Sequence, residues 1–157
     1  MYKRILCPID GSPTSSRGMT EAINLAKDQK AQLFFLHVID TYIPILDLTG
    51  ELSVFYDTNV LQNHGKKILQ EAMEAAHKSG VKADSKTVAT IGGHVSELIV
   101  NQADEWSADL IVMGTHGLRG IERLVMGSDA ETVLRTSPVP VLLISDTQTT
   151  KKTKKTS

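Results

Sequence analysis

Two rhythms of apolar residues alternate along this chain. Short continuous runs stand apart from longer stretches in which apolar residues return at every third or fourth position. Ile5 to Ile9 is the first run and reads as a buried strand, closed by the turn residues Asp10, Gly11 and Ser12. From Ser12, a suitable N-cap, to about Lys30 the spacing is helical, with Met19, Ala22, Ile23 and Ala26 on one face. Gln32 to Val38 is a second strand. Asp40 to about Tyr56, with Pro44 and Gly50, predicts a connection longer than the usual few residues, of the kind that covers a site or a partner surface. A helix from about Thr58 to Ser79 follows, with Leu61, Ile68, Leu69, Ala72 and Ala76 inward and Gly80 as its stop. Lys82 to Val88 alternates as a third strand. Gly92 and Gly93 precede a third helix, Val95 to Glu105, which turns Leu98, Ile99 and Ala103 inward. Asp109 to Met113 is a buried fourth strand, Ser128 to Arg135 starts a fourth helix, and Val139 to Ile144 is the fifth strand. Strands alternating with helices predict an α/β fold with a parallel sheet and right-handed crossovers.

Length and composition narrow this to one soluble domain. A chain of 157 residues buries about two-thirds of its unfolded surface around one core. Hydrophobic residues make up 41% and charged residues 22%, ordinary values for a globular protein. Only 4% is aromatic, which disfavours a platform for stacking single-stranded nucleic acid. The net charge of −1 hides an asymmetry, because Lys151, Lys152, Lys154 and Lys155 hold four of the 17 basic residues. The remainder has 13 basic against 18 acidic residues, and an acidic body does not suit nucleic-acid or membrane binding. The domain is expected to span 1–146, with 147–157 a disordered Lys/Thr-rich tail. Lys3 and Arg4 lead only into a short apolar stretch, and no run reaches the roughly 18 apolar residues of a membrane span. The expected compartment is therefore the cytoplasm. Cys7, the one cysteine, falls in the first strand as a small core residue.

Chemistry concentrates between Gly114 and Ser128. This segment follows the fourth strand and leads into the fourth helix, so backbone N–H groups and the positive end of a helix dipole face an incoming anion. Gly114 and Gly117 lack a Cβ, which lets a ligand approach the backbone and makes positive φ inexpensive. Gly127 and Ser128 add a second close approach and a hydroxyl at the expected N-cap. His116 reads as an exposed loop residue, and Arg119 as either solvated or a counter-charge to phosphate. Asp129 is welcome in the first turn of a helix but repels a phosphate. It is expected to offer its N–H while its side chain turns to solvent or to a bound Mg2+. The remaining histidines lack metal-ligand spacing, so no protein metal site is expected.

The spacing Gly-x2-Gly-x9-Gly-Ser, filled by Gly114, Gly117, Gly127 and Ser128, resembles the nucleotide-binding signature of the universal stress protein family. The resemblance extends to Lys3 through Ser12, Leu36 through Asp40, and Ser137 through Ile144. It implies an open five-stranded parallel sheet of order 3-2-1-4-5 with helices on both faces, of the adenine nucleotide alpha-hydrolase-like kind. In that order the first and fourth strands are neighbours whose helices leave on opposite faces, and Asp10 and Gly114 meet at the switch point where a crevice opens. The resemblance implies ATP, ADP or AMP there, with any Mg2+ held mainly by the phosphates. Asp10 would meet ribose or the adenine amine, Pro8 and Ile9 would form apolar walls, the Val38 backbone would pair with the adenine edge, and Met113 would close the end of the fourth strand. The family usually carries a neutral residue at the position of Asp129, so this departure bears on how much phosphate the loop takes.

The function expected is an ATP-binding stress-response regulatory module with at most slow hydrolysis, acting on an unidentified protein partner. The alternative is a nucleotide-independent interaction module of the same fold. A receiver domain needs an Asp after the third strand, where Thr87 to Ile91 stands, and the Rossmann, Walker and Gly-x-Ser-x-Gly motifs are absent. No catalytic base is placed near the loop. In the implied order Val139 to Ile144 is an uncharged edge strand, apolar on both faces. Such an edge predicts a homodimer by antiparallel pairing with a second copy.

Overall fold

The computed structural model describes residues 1–41, 58–116 and 126–145. The elements run β1 (Arg4–Pro8), α1 (Pro13–Gln29), β2 (Gln32–Asp40), α2 (Thr58–Lys78), β3 (Ala83–Thr90), α3 (Val95–Glu105), β4 (Leu110–Gly114), α4 (Ser128–Thr136) and β5 (Val141–Ile144). The strands form one parallel sheet in the order β3-β2-β1-β4-β5, as the resemblance implied. Most of the long connection after β2 and the tail from Asp146 lie outside the described residues, as do Gly117 and Arg119.

Side-chain alternation splits the core into two layers. Ile5, Cys7, Leu33, Phe35 and Val112 face α1 and α2, while Leu6, Phe34, Leu36, Ile111 and Met113 face α3 and α4. The central strands are covered on both faces, which is why they read as continuous apolar runs. Each fully buried Leu or Ile contributes about 1.5–3 kcal/mol by leaving water. The edge strand β3 is largely exposed. At the amino-terminal rim of the sheet Arg4 lies over the Trp106 ring at 4.2 Å and donates to its carbonyl at 2.8 Å. The Asp109 carboxylate accepts the N–H groups of Lys3 and Arg4. Trp106 therefore packs at the rim, against Phe34 at 5.1 Å.

Among the boundaries that differ from the sequence reading, three have a local reason. Ser128 is not the cap of α4. Gly127 holds that position with φ −60° and ψ 148°, and no side chain closes the helix end. Strand β5 begins at Val141 rather than Val139, because Val139 is held in a tight turn by the Ser137 hydroxyl on both its N–H and its carbonyl. The Pro140 carbonyl still accepts from the Ile111 N–H at 3.0 Å, so pairing with β4 starts there. Strand β3 runs on to Thr90, whose carbonyl takes both the N–H and the hydroxyl of Thr41.

Cys7 is fully buried, and loss of solvation pushes its thiol well above the usual range. Folded protein at mildly alkaline pH should leave this thiol unlabelled by an aromatic disulfide reagent, and guanidinium should release one reactive thiol per chain. Rapid labelling of the folded protein would contradict the packing.

Candidate functional site

The site begins where β1 stops. Hydrogen bonds fix which way each backbone group points, because N–H and C=O of one residue share a side and alternate along a strand. Gln32 donates to Lys3 and Ile9 donates to Leu36, at 2.8 Å each, so the even residues of β2 face β1. Leu33 donates to Lys82 and Thr41 to Thr90, so the odd residues face β3. Val38 therefore directs its N–H and C=O past the end of β1. No hydrogen-bond partner for them occurs among the described residues.

Pro8 opens the other side. Asp109 donates to Arg4, so the even residues of β1 face β4. Pro8 has no N–H to continue that ladder, and the regular β1–β4 pairing runs from Ile5 to Leu6. The sheet thus parts on both flanks of β1 at its carboxyl end. Asp10 follows, half-buried. Its Oδ1 accepts the Ser12 N–H at 2.9 Å, a turn that also sets Ser12 at the cap of α1, where its hydroxyl accepts from Ser15. Its N–H donates to the Ser15 hydroxyl at 3.0 Å. A carboxylate has two oxygens, and Oδ2 has no partner among the described residues.

The β4–α4 connection meets α1 at a tight seam. Thr14 and Ser12 both donate their hydroxyls to the His116 carbonyl. Thr115 N–H donates to Ile144 at 2.9 Å, and Gly127 N–H donates to Thr115 at 2.7 Å, which draws the start of α4 back against the end of β4. The two ends of the glycine segment are therefore adjacent. With Gly127 as cap, no side chain caps the start of α4. Glu131 in that turn pairs with Arg135 at 2.8 Å.

Several sequence expectations change here. Gly114 is glycine because α1 lies on it: a Cβ would sit 2.8 Å from Thr14 Oγ1 and 2.9 Å from the Thr14 carbonyl carbon. Its φ is not positive, and neither is that of Gly127. His116 is half-buried rather than exposed, its Nδ1 lies 2.9 Å from the Thr115 hydroxyl, and its buried Nε2 has no partner among the described residues. Asp129 is half-buried rather than turned fully to solvent, and Ser128 is exposed. Ile9 packs under α1 and α2, whereas Val38 and Met113 pack under α3 and α4, so of the two expected apolar walls only Pro8 shares a sheet face with them. A cavity of about 220 Å3 on the α1–α2 face, lined by Ile9, Gly11, His64, Lys67 and Ile68 among others, shares only Ile9 with the candidate residues. Sequence reasoning missed Thr14, Gly18 and His37. Nothing in local spacing marks Gly18, which abuts the Gly114 nitrogen across the α1–β4 seam.

An uncapped helix start and the Val38 backbone, without a partner among the described residues, thus meet at one switch point of a parallel α/β sheet, where such folds open a crevice. Comparison then gives the family. The sequence profile of the universal stress protein family matches residues 1–145. A universal stress protein of Methanocaldococcus jannaschii is 36% identical over 144 residues, covering 92% of this chain and 82% of the relative. The crystal structure of a universal stress protein family member from Burkholderia pseudomallei matches at TM-score 0.70 and 32% identity, over 92% of this chain and 96% of that one. A universal stress protein solved in complex with cAMP matches at TM-score 0.63 and 28% identity, over 91% and 97%. The chain belongs to the universal stress protein family.

The seam makes a specific demand. Gly114→Ala must displace backbone of α1 and should cost about 1–3 kcal/mol, lowering the melting temperature by roughly 2–12 °C. An unchanged melting temperature in a calorimetric scan would contradict the contact.

Proposed function

We propose that this chain binds an adenine nucleotide at the carboxyl end of β1 and passes its occupancy to a partner as a dimeric regulatory module. The observation that carries the reading is the orientation of Val38, whose free N–H and C=O face the crevice side by side. Adenine offers an acceptor at N1 beside a donor at N6, the complement of that pair. Guanine offers the reverse. The free Oδ2 of Asp10 suits a ribose hydroxyl, since a carboxylate accepts hydrogen bonds but repels phosphate. Pro8 and Met113 supply apolar surface to the base. The first-turn N–H groups of α4 and the exposed Ser128 hydroxyl suit phosphate oxygens, and His116 Nε2 lies in the same connection. The relative bound to cAMP supports an adenine nucleotide as the ligand class.

The choice among AMP, ADP and ATP turns on Gly117, Arg119 and Asp129, and Mg2+ would ride on the phosphates of the longer ligands. In this reading hydrolysis is slow at most. The output surface in this reading is β5. Leu142 is 40% exposed on that edge strand, between half-buried Val141 and Leu143, and an unpaired apolar edge is satisfied by a second copy.

A nucleotide at 100 times its dissociation constant adds about 2.7 kcal/mol, so ATP, ADP or AMP should raise the melting temperature by roughly 5–10 °C, with GTP and GMP raising it less. Equal indifference to all of them would favour the nucleotide-independent interaction module. Light scattering behind size exclusion should give twice the chain mass, and Leu142→Lys should shift it toward the monomer. A parent that runs as a monomer with and without ATP would end the dimer reading.

A further inference from the structure

We propose that His37 is the positioning residue that keeps the Val38 backbone open to the base, an inference that rests on the adenine reading above. The ladder between β1 and β2 stops one rung early. Ile9 N–H donates to the Leu36 carbonyl at 2.8 Å, and in a parallel pair the next bond would run from Val38 N–H to the Ile9 carbonyl. That bond is absent. The Ile9 carbonyl accepts instead from His37 Nδ1 at 2.8 Å. A carbonyl only accepts, so Nδ1 carries the proton. A side chain thus satisfies a strand-end carbonyl that would otherwise pull Val38 into the sheet, since a buried carbonyl does not stay unpaired at low cost.

The imidazole is held for this task from both sides. His37 is 6% exposed on β2, under α2. On α2 the residue facing it is Gly65, where a Cβ would stand 2.6 Å from His37 Cδ2 and 3.0 Å from Nε2. Only glycine leaves the ring its place. His37 therefore ties α2 to the last residue before Asp10, and fixes the two groups proposed to read base and ribose, the Val38 backbone and the Asp10 carboxylate, relative to each other.

The test is amide hydrogen exchange at Val38 by NMR on the full chain, read beside AMP and GMP affinity. In the parent without nucleotide the Val38 amide should exchange fast, and AMP should slow it. In His37→Ala the missing rung should form, so the Val38 amide becomes protected without nucleotide while AMP binding weakens about tenfold. His37→Asn places a side-chain N–H where Nδ1–H stood and should keep parent exchange and affinity. His37→Gln, which mimics the other ring nitrogen, should not. Gly65→Ala should behave like His37→Ala by pushing the ring aside, and His37→Asn in the Gly65→Ala background should restore binding. This pair carries the test if His37→Ala fails to fold. A slow Val38 amide in the free parent, or undiminished AMP binding in folded His37→Ala and Gly65→Ala, overturns the proposal while leaving nucleotide binding intact. A parent that binds no adenine nucleotide overturns the adenine reading itself, and the positioning role with it.

Discussion

Backbone hydrogen bonding at the end of β1 is the constraint on which the site depends. A central strand of a parallel sheet normally pairs on both flanks, and losing those bonds in a buried place is costly. Here both flanks are relieved by chemistry rather than left in deficit. Pro8 has no N–H to offer β4, and the Ile9 carbonyl on the β2 side is taken by the His37 imidazole. Beyond that point the strand turns through Gly11, whose φ of +81° suits glycine, with the Asp10 N–H donating to the Ser15 hydroxyl and the Asp10 carboxylate accepting from the Ser12 N–H. The sheet parts without a buried unpaired carbonyl at Ile9, and the groups that remain free are the ones facing the crevice.

The other wall is held by close packing. Helix α1 sits so near β4 that Gly18 and Gly114 touch backbone to backbone, and the hydroxyls of Ser12 and Thr14 bind the His116 carbonyl. Gly114 thus serves the seam between the two loops that border the crevice. A glycine that appears to make room for a ligand can first be making room for a helix. In the proposed reading both demands coincide, because the seam aligns the Asp10 turn with the start of α4.

Element order was legible in the sequence, since buried parallel strands and amphipathic helices leave distinct apolar periods, whereas the strand order and its switch point followed from the family resemblance. Asp10 and the Gly114–Ser128 segment stood out as candidates because position at a strand end limits what a residue can do, and Val38 because the resemblance implies a role for it. What stayed hidden depends on contacts between distant segments. The cap of α4 passed to Gly127 because Thr115 holds its N–H, a bond no local pattern announces. His116 drew into partial burial because α1 grips its carbonyl. His37 looked like one histidine among five, and only the register between β1 and β2 shows that its ring stands in for a rung. Pro8, read from the sequence only as an apolar wall, also opens one flank of its strand, because a proline cannot continue that ladder.

The central claim is where the ligand sits, and a titration of isotopically labelled protein with AMP, followed by amide chemical shifts, tests it most directly. The account predicts that the largest shifts fall on Val38, Asp10 and the first-turn amides Ser128, Asp129 and Ala130, while the α1–α2 cavity residues His64, Lys67 and Ile68 stay still. Shifts centred on that cavity, or absent at saturating AMP, would contradict it.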